Sequence, residues 1–174
     1  MQWCDRRSIV TKKISLLAML LSLSMVFSYF EARFPIITWI PGAKLGLANI
    51  VVMVALYEIG TKEAWCLSVL RVILTGFLFS NFFGMLFSLA GAFCSLAVMT
   101  ILKRYTRLSI MCVSIAGGIF HNFGQIVVAS IVLENKNIWY YFMMLFFCGI
   151  LAGTVIGILG GAISRKIRKL LRNV

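Results

Sequence analysis

Arg71 is a cation set deep in an apolar stretch, nine residues beyond Lys62. On a helix that spacing is about 13 Å at 1.5 Å per residue. An ionised side chain in such a place is costly and needs a reason. Glu58 and Glu63 fall at the opposite end of the same stretch, so no acidic residue is expected level with it. Arg71 should therefore face an anionic ligand, water or neutral acceptors. A structural arginine bonded to backbone carbonyls or amide side chains is the plainer alternative. The single histidine opens the run His121-Asn122-Phe123-Gly124-Gln125. His121 and Gln125 are four apart and share a helix face, while Asn122 points about 100° away. His121, Gln125, Arg71 and Asn49 could line one polar cavity in the outer half, or they could simply bond between helices. Lys44 and Trp39 lie in the segment before Asn49, with Glu31 and Arg33 a little earlier. They are read as solvated loop residues or as a lid, with Trp39, Phe79 and Phe83 offering apolar wall area.

Other chemistry is excluded by residue counts. Asp5 is the only aspartate, so no paired-aspartate magnesium site for prenyl transfer can form. One histidine cannot supply two axial haem ligands. There is no Walker A sequence, so the chain cannot hydrolyse ATP by that means. The five cysteines, Cys4, Cys66, Cys94, Cys112 and Cys148, are odd in number and contain no CxxC. They read as packing residues, not as a metal site or disulfide frame. No nucleophile, base and orienting group fall into a catalytic pattern. The expectation is a non-enzyme with no cofactor and no metal.

The elements that must hold these residues are membrane helices. Of 174 residues, 61% are hydrophobic and 13% charged, far from the balance of a soluble domain. A span needs about 20 apolar residues. Apolar length and punctuation give six helices, near 13–30, 45–59, 62–80, 82–102, 109–133 and 138–164. The second is short for a span. Both prolines lie in the stretch between the first two helices. The whole chain reads as one membrane domain, 1–174, with short tails at 1–12 and 165–174. The first helix follows a basic start, but Tyr29-Phe30-Glu31-Ala32 lacks the small residues of a cleavage site, so it is read as retained.

Cations set the orientation. With the N-terminus inside, thirteen Lys and Arg fall on cytoplasmic segments and three, Arg33, Lys44 and Lys136, on outer ones. That asymmetry predicts both termini inside, in a plasma membrane. The net charge of +12 is thereby explained without nucleic acid. Trp39 and Trp139 fall at the outer boundary, Trp3 and Trp65 at the inner one. Packing signals lie in the last helix, where Gly149, Gly153, Gly157 and Gly161 recur every four residues and leave one face bare. That face suits either another helix of the chain or a second subunit. Gly84, Ser88 and Ala92 form a milder version. Ala18 and Ser22 are four apart on the first helix, where small residues suit docking of a partner.

The run Pro41-Gly-Ala-Lys-Leu-Gly-Leu-Ala-Asn-Ile50, with Leu70-Arg71-Val-Ile-Leu74 and His121–Gln125, resembles the Gx transporter family. The same family is often labelled heptaprenyl diphosphate synthase component I. It looks related to the substrate-binding S components of energy-coupling factor vitamin transporters. The resemblance spans about 12–165. It implies an all-α, six-helix S-component fold, with ligand bound in the outer half under the first loop. It also implies docking of the first helix on a transmembrane coupling protein that works with ATPases. Ala18 and Ser22 match that docking pattern. Relatives accompany flavin-linked extracellular electron-transfer components. Two functions are therefore expected. One is a subunit that captures a small anionic or amphipathic molecule from outside and is energised by partners. The other is a non-catalytic membrane subunit of a polyprenyl, quinone or flavin-linked system.

Overall fold

The computed structural model describes residues 2–33, 46–134 and 136–172, all helical apart from short connections. Among the described residues six α-helices run in order: α1 Gln2–Arg33, α2 Leu47–Glu58, α3 Thr61–Phe79, α4 Phe82–Tyr105, α5 Ile110–Val132 and α6 Tyr140–Arg172, with a 3-10 turn at Lys136–Trp139. The interior bounds follow the sequence expectation closely. The two outer helices do not. α1 begins at Gln2, so the expected tail is helix, and it runs three residues past Phe30. Nothing in 2–33 is Gly or Pro, so the first breaker it meets is Pro35. α6 likewise continues to Arg172, because no breaker follows Gly161 and basic residues suit a helix C-terminus.

α2 sits at the centre. Its residues from Ile50 to Leu56 are all buried, and Met53, Ala55 and Leu56 are completely so. A helix apolar on every side is a core helix. It packs against α1, α3 and α6, and the remaining contacts run α1 to α3, α3 to α4, α4 to α5 and α5 to α6. Twelve residues rise only about 18 Å, well short of a hydrocarbon core of about 30 Å. By length and composition, α1, α4, α5 and α6 qualify as membrane-crossing helices. Their outward surfaces are strongly apolar: Met19, Phe93, Tyr140, Met143 and Leu151 are all more than 60% exposed. Continuous apolar exposure of this kind is stable against lipid and not against water. The chain is a multi-pass helical membrane protein.

Glycines decide how closely the helices approach. The face of α6 carrying Gly149, Gly153 and Gly157 lies on α5. A Cβ on Gly149 would sit 2.9 Å from the Gly118 carbonyl oxygen, and one on Gly153 only 2.6 Å from the Ile115 Cα. At Gly157 it would meet the Met111 Cα at 2.8 Å. Gly161 is roomier, with Ile110 Cγ2 at 3.9 Å. The α5 side of this contact includes a glycine of its own, Gly118. α4 approaches α5 differently from the expected Gly84–Ser88–Ala92 face. Gly91 takes the close contact, 2.8 Å from the His121 carbonyl oxygen for an added Cβ, and Gly124 answers it against the Ala90 carbonyl oxygen at 2.6 Å. α5 is thus held between backbones on two sides.

Polar contacts gather at the end of the bundle where the chain begins and ends. Lys103 Nζ donates to the Leu56 carbonyl oxygen at 2.5 Å and lies over the Tyr57 ring. Arg168 pairs with Glu58 at 2.9 Å, and Lys13 with Glu63 at 3.2 Å. Lys103 therefore caps the C-terminus of α2, where carbonyls lack helical partners. The exposed pairs add little by themselves.

Substitution of Gly153 by Ala should force α6 away from α5 and cost about 1–3 kcal/mol by overpacking. Gly161→Ala meets only ordinary contacts and should be neutral or slightly stabilising. Unfolding in a graded denaturing detergent, followed by circular dichroism, checks the contrast between the two.

Candidate ligand-binding cavity

The opposite end of the bundle holds a cavity of about 120 Å³ to which every helix contributes. The last turns of α1 supply Ser28 and Glu31. Gly46 and Asn49 come from the start of α2, and Arg71, Thr75 and Phe79 from α3. α4 adds Gly84 and Ser88, α5 adds His121, Asn122 and Gln125, and α6 closes the wall with Gly149, Ala152 and Ile156.

Arg71 is buried, with 8% of its surface exposed. Its Nη2 donates to Asn49 Oδ1 at 2.9 Å, tying α3 to α2. Its Nε is buried, and nothing among the described residues accepts from it. Leaving a buried charged donor unsatisfied is costly. Thr75 turns its hydroxyl back to the Arg71 carbonyl oxygen at 2.9 Å, so it is spent on its own helix. On α5, Gln125 Nε2 and His121 Nε2 lie 3.3 Å apart, one turn from each other as the spacing implies. Asn122, on the neighbouring face, donates to the Leu145 carbonyl oxygen at 2.7 Å and fastens α5 to α6.

Glu31 changes the electrostatics of the site. The sequence reading left Arg71 without an acid at its level. Because α1 does not stop at Phe30, its last turn carries Glu31 into the same cavity. Tyr29 packs edge-on against Phe79, 5.3 Å between ring centres, and anchors this end of α1 on α3. Glu31 Oε1 then accepts from the Gly46 N–H at 2.5 Å and the Leu47 N–H at 3.0 Å. These amides open α2, where helical partners are lacking. A carboxylate is well placed there because the helix end carries partial positive charge. Gly46 has φ +77°, a left-handed conformation that a side chain would strain. Arg71 and Glu31 attract each other without forming an ion pair. The pairs among the described residues are those of Lys13 and Arg168.

Of the residues singled out from sequence, Arg71, Asn49, His121 and Gln125 all line this cavity. Lys44 and Trp39 lie outside the described residues. Phe79 is in the wall, whereas Phe83 is exposed and lines no part of it. Gly84 and Ser88 face the cavity instead of a neighbouring backbone. Ala18 and Ser22 are exposed on α1, and the Ser22 hydroxyl bonds back to the Ala18 carbonyl oxygen at 2.9 Å. The face that α1 buries is instead the one with Leu20, Leu21, Ser24 and Phe27. Ser88 and Asn122 join the lining without a signal in the sequence, and Glu31, expected on the loop as a solvated residue or lid, stands in the last turn of α1. Glu31 had a readable signal, because it lies one turn beyond Phe27 on the apolar seam of the first helix.

Glu31→Ala removes the cap of α2 and should lower stability by about 1 kcal/mol or more. Glu31→Gln keeps an acceptor oxygen and should retain most of it. Detergent unfolding of the two variants beside the parent tests this ordering.

The family model for heptaprenyl diphosphate synthase component I matches residues 20–163. That range includes every cavity residue named above and the α6 glycines; Ala18 falls just before it. No curated protein and no solved structure matches the chain. With 144 of its 174 residues inside the family model, the chain belongs to the heptaprenyl diphosphate synthase component I family.

Proposed function

We propose that the protein is a membrane subunit that captures a small polar molecule in the cavity around Arg71. The observation that carries this reading is the buried Arg71 side chain, whose Nε has no acceptor among the described residues and which borders open space. The Nη2 bond to the Asn49 amide fits a structural arginine as well, whereas a buried Nε without an acceptor does not. Asn49, His121 and Gln125 add oriented donors and acceptors around the same space. In a low-dielectric interior such groups act on a ligand with little screening.

The cation asymmetry favours both termini in the cytoplasm of a bacterial cell, and the cavity would then lie in the outer half of the plasma membrane. Ligand would then enter from outside, under the segment that carries Trp39 and Lys44. The chain has no nucleotide-binding loop of its own, so energised transport would draw on partners. A transmembrane coupling protein with ATPases is the reading that the resemblance to S components supports. The Ala18–Ser22 face of α1 is exposed and would suit such a partner. The family name, component I, likewise speaks for a second component.

That name also favours a second reading, a membrane subunit attached to a prenyl, quinone or flavin-linked redox system. With Asp5 as the sole aspartate, the chain itself would be non-catalytic in it. Native mass spectrometry of the protein, purified gently from its own membrane, tests both. Capture predicts a retained small molecule that is lost in Arg71→Met while the fold and the partners persist. A coupling protein with ATPases supports the first reading. A redox or prenyl-pathway enzyme bound to a chain that carries no small molecule supports the second.

A further inference from the structure

The charge arrangement of the cavity narrows the class of ligand. Were Arg71 the only charge at this level, an anion would be the natural occupant. Glu31 removes that premise. Arg71 and Glu31 face one cavity, carry opposite charges and do not touch. Among the described lining residues Arg71 is the one lysine or arginine and Glu31 the one carboxylate, so these two charges balance. A net-charged ligand would leave an uncompensated charge in a poorly solvated interior, which proteins avoid. A ligand without net charge would not.

We infer that the cavity takes a small dipolar molecule of zero net charge, its acceptor group on Arg71 and its donor group on Glu31; this rests on the capture reading above. The two ends are already polarised for it. Among the described residues nothing accepts from Arg71 Nε, in a side chain more than nine-tenths buried. On Glu31, both backbone donors go to Oε1, and among the described residues none is seen to donate to Oε2, which can accept from a ligand. The α2 cap fixes the carboxylate in place, as the Asn49 bond fixes the guanidinium. The same lining offers apolar surface on Phe79, Met85 and Ile156 beside the polar groups of Asn49, His121 and Gln125. A volume of about 120 Å³ suits a molecule of roughly benzene's size. A zwitterion with carboxylate and ammonium separated by a short carbon chain meets all of these conditions.

The test uses the full-length protein in detergent and follows thermal unfolding with three panels of probes. They are short α- to ω-amino acids, monocarboxylates and primary amines, matched in chain length. Ligand binding to the folded state raises the unfolding temperature. At least one amino acid should stabilise, and its matched carboxylate and amine should not. Arg71→Met should weaken that amino acid's binding by about 10- to 100-fold, as loss of a charged hydrogen bond does. Glu31→Gln keeps the α2 cap, so it remains informative where Arg71→Met fails to fold. It should weaken binding by a similar factor.

Stabilisation by a monocarboxylate, enlarged in Glu31→Gln, would overturn the inference. It would identify an anion site in which Glu31 competes with the ligand, and capture would stand. Silence from all three panels also overturns it. Capture falls with it only where the natively purified protein carries no small molecule either.

Discussion

The structure depends on a helix that is too short for its surroundings. α2 is apolar on all sides and lies at the centre of the bundle, yet it rises only about 18 Å. One of its ends must therefore open inside the protein. Backbone amides cannot be left unpaired there, since neither lipid nor a dry core offers an acceptor. Glu31 solves the problem from a different helix by accepting from Gly46 and Leu47. The other end is closed by Lys103, which donates to the Leu56 carbonyl oxygen. Two charged residues, one from α1 and one from α4, thus satisfy the termini of a helix that carries no charge of its own before Glu58.

The cavity follows from the same constraint. Where α2 begins late, the surrounding helices enclose space that no α2 side chain fills. Irregular backbone at such depth is tolerated where it lines a cavity. The carboxylate required by the amides also brings a negative charge into that space, and Arg71 faces it from α3. Asn49, one turn into α2, then takes a guanidinium N–H. Capping, charge balance and ligand chemistry are in this way one arrangement. The closeness of the α4, α5 and α6 backbones fixes the far wall. Gly91 against His121, and Gly149 against Gly118, set where the α5 polar residues stand.

Much of the site was legible in the chain because helical periodicity fixes neighbours on one helix. His121 and Gln125, four apart, had to share a face, and they do. Arg71 was visible as an expense that needed explanation. Relations between helices were less legible. The Gly84–Ser88–Ala92 spacing looked like a packing face, but Gly84 and Ser88 border the cavity while Gly91 makes the close approach. A stripe of small residues states only that there is room beside the helix, not whether a backbone or a cavity takes it. The α6 glycines were less ambiguous in spacing, yet their partner, the Met111–Ile119 face of α5, was not written in them.

What the sequence by itself determined is the class of protein and its elements. A chain that is 61% hydrophobic, broken at regular intervals, must pair its backbone within helices, and that fixes helices and their approximate ends. The family is legible as well, because it rests on residue identity. Only the tertiary structure decided that Glu31 stands in the cavity with Arg71. The two are 40 residues apart, on helices whose relative height depends on how far α1 continues and how late α2 begins. No local pattern encodes that height. It is set by the need to satisfy the α2 amides and by side-chain packing such as Tyr29 on Phe79.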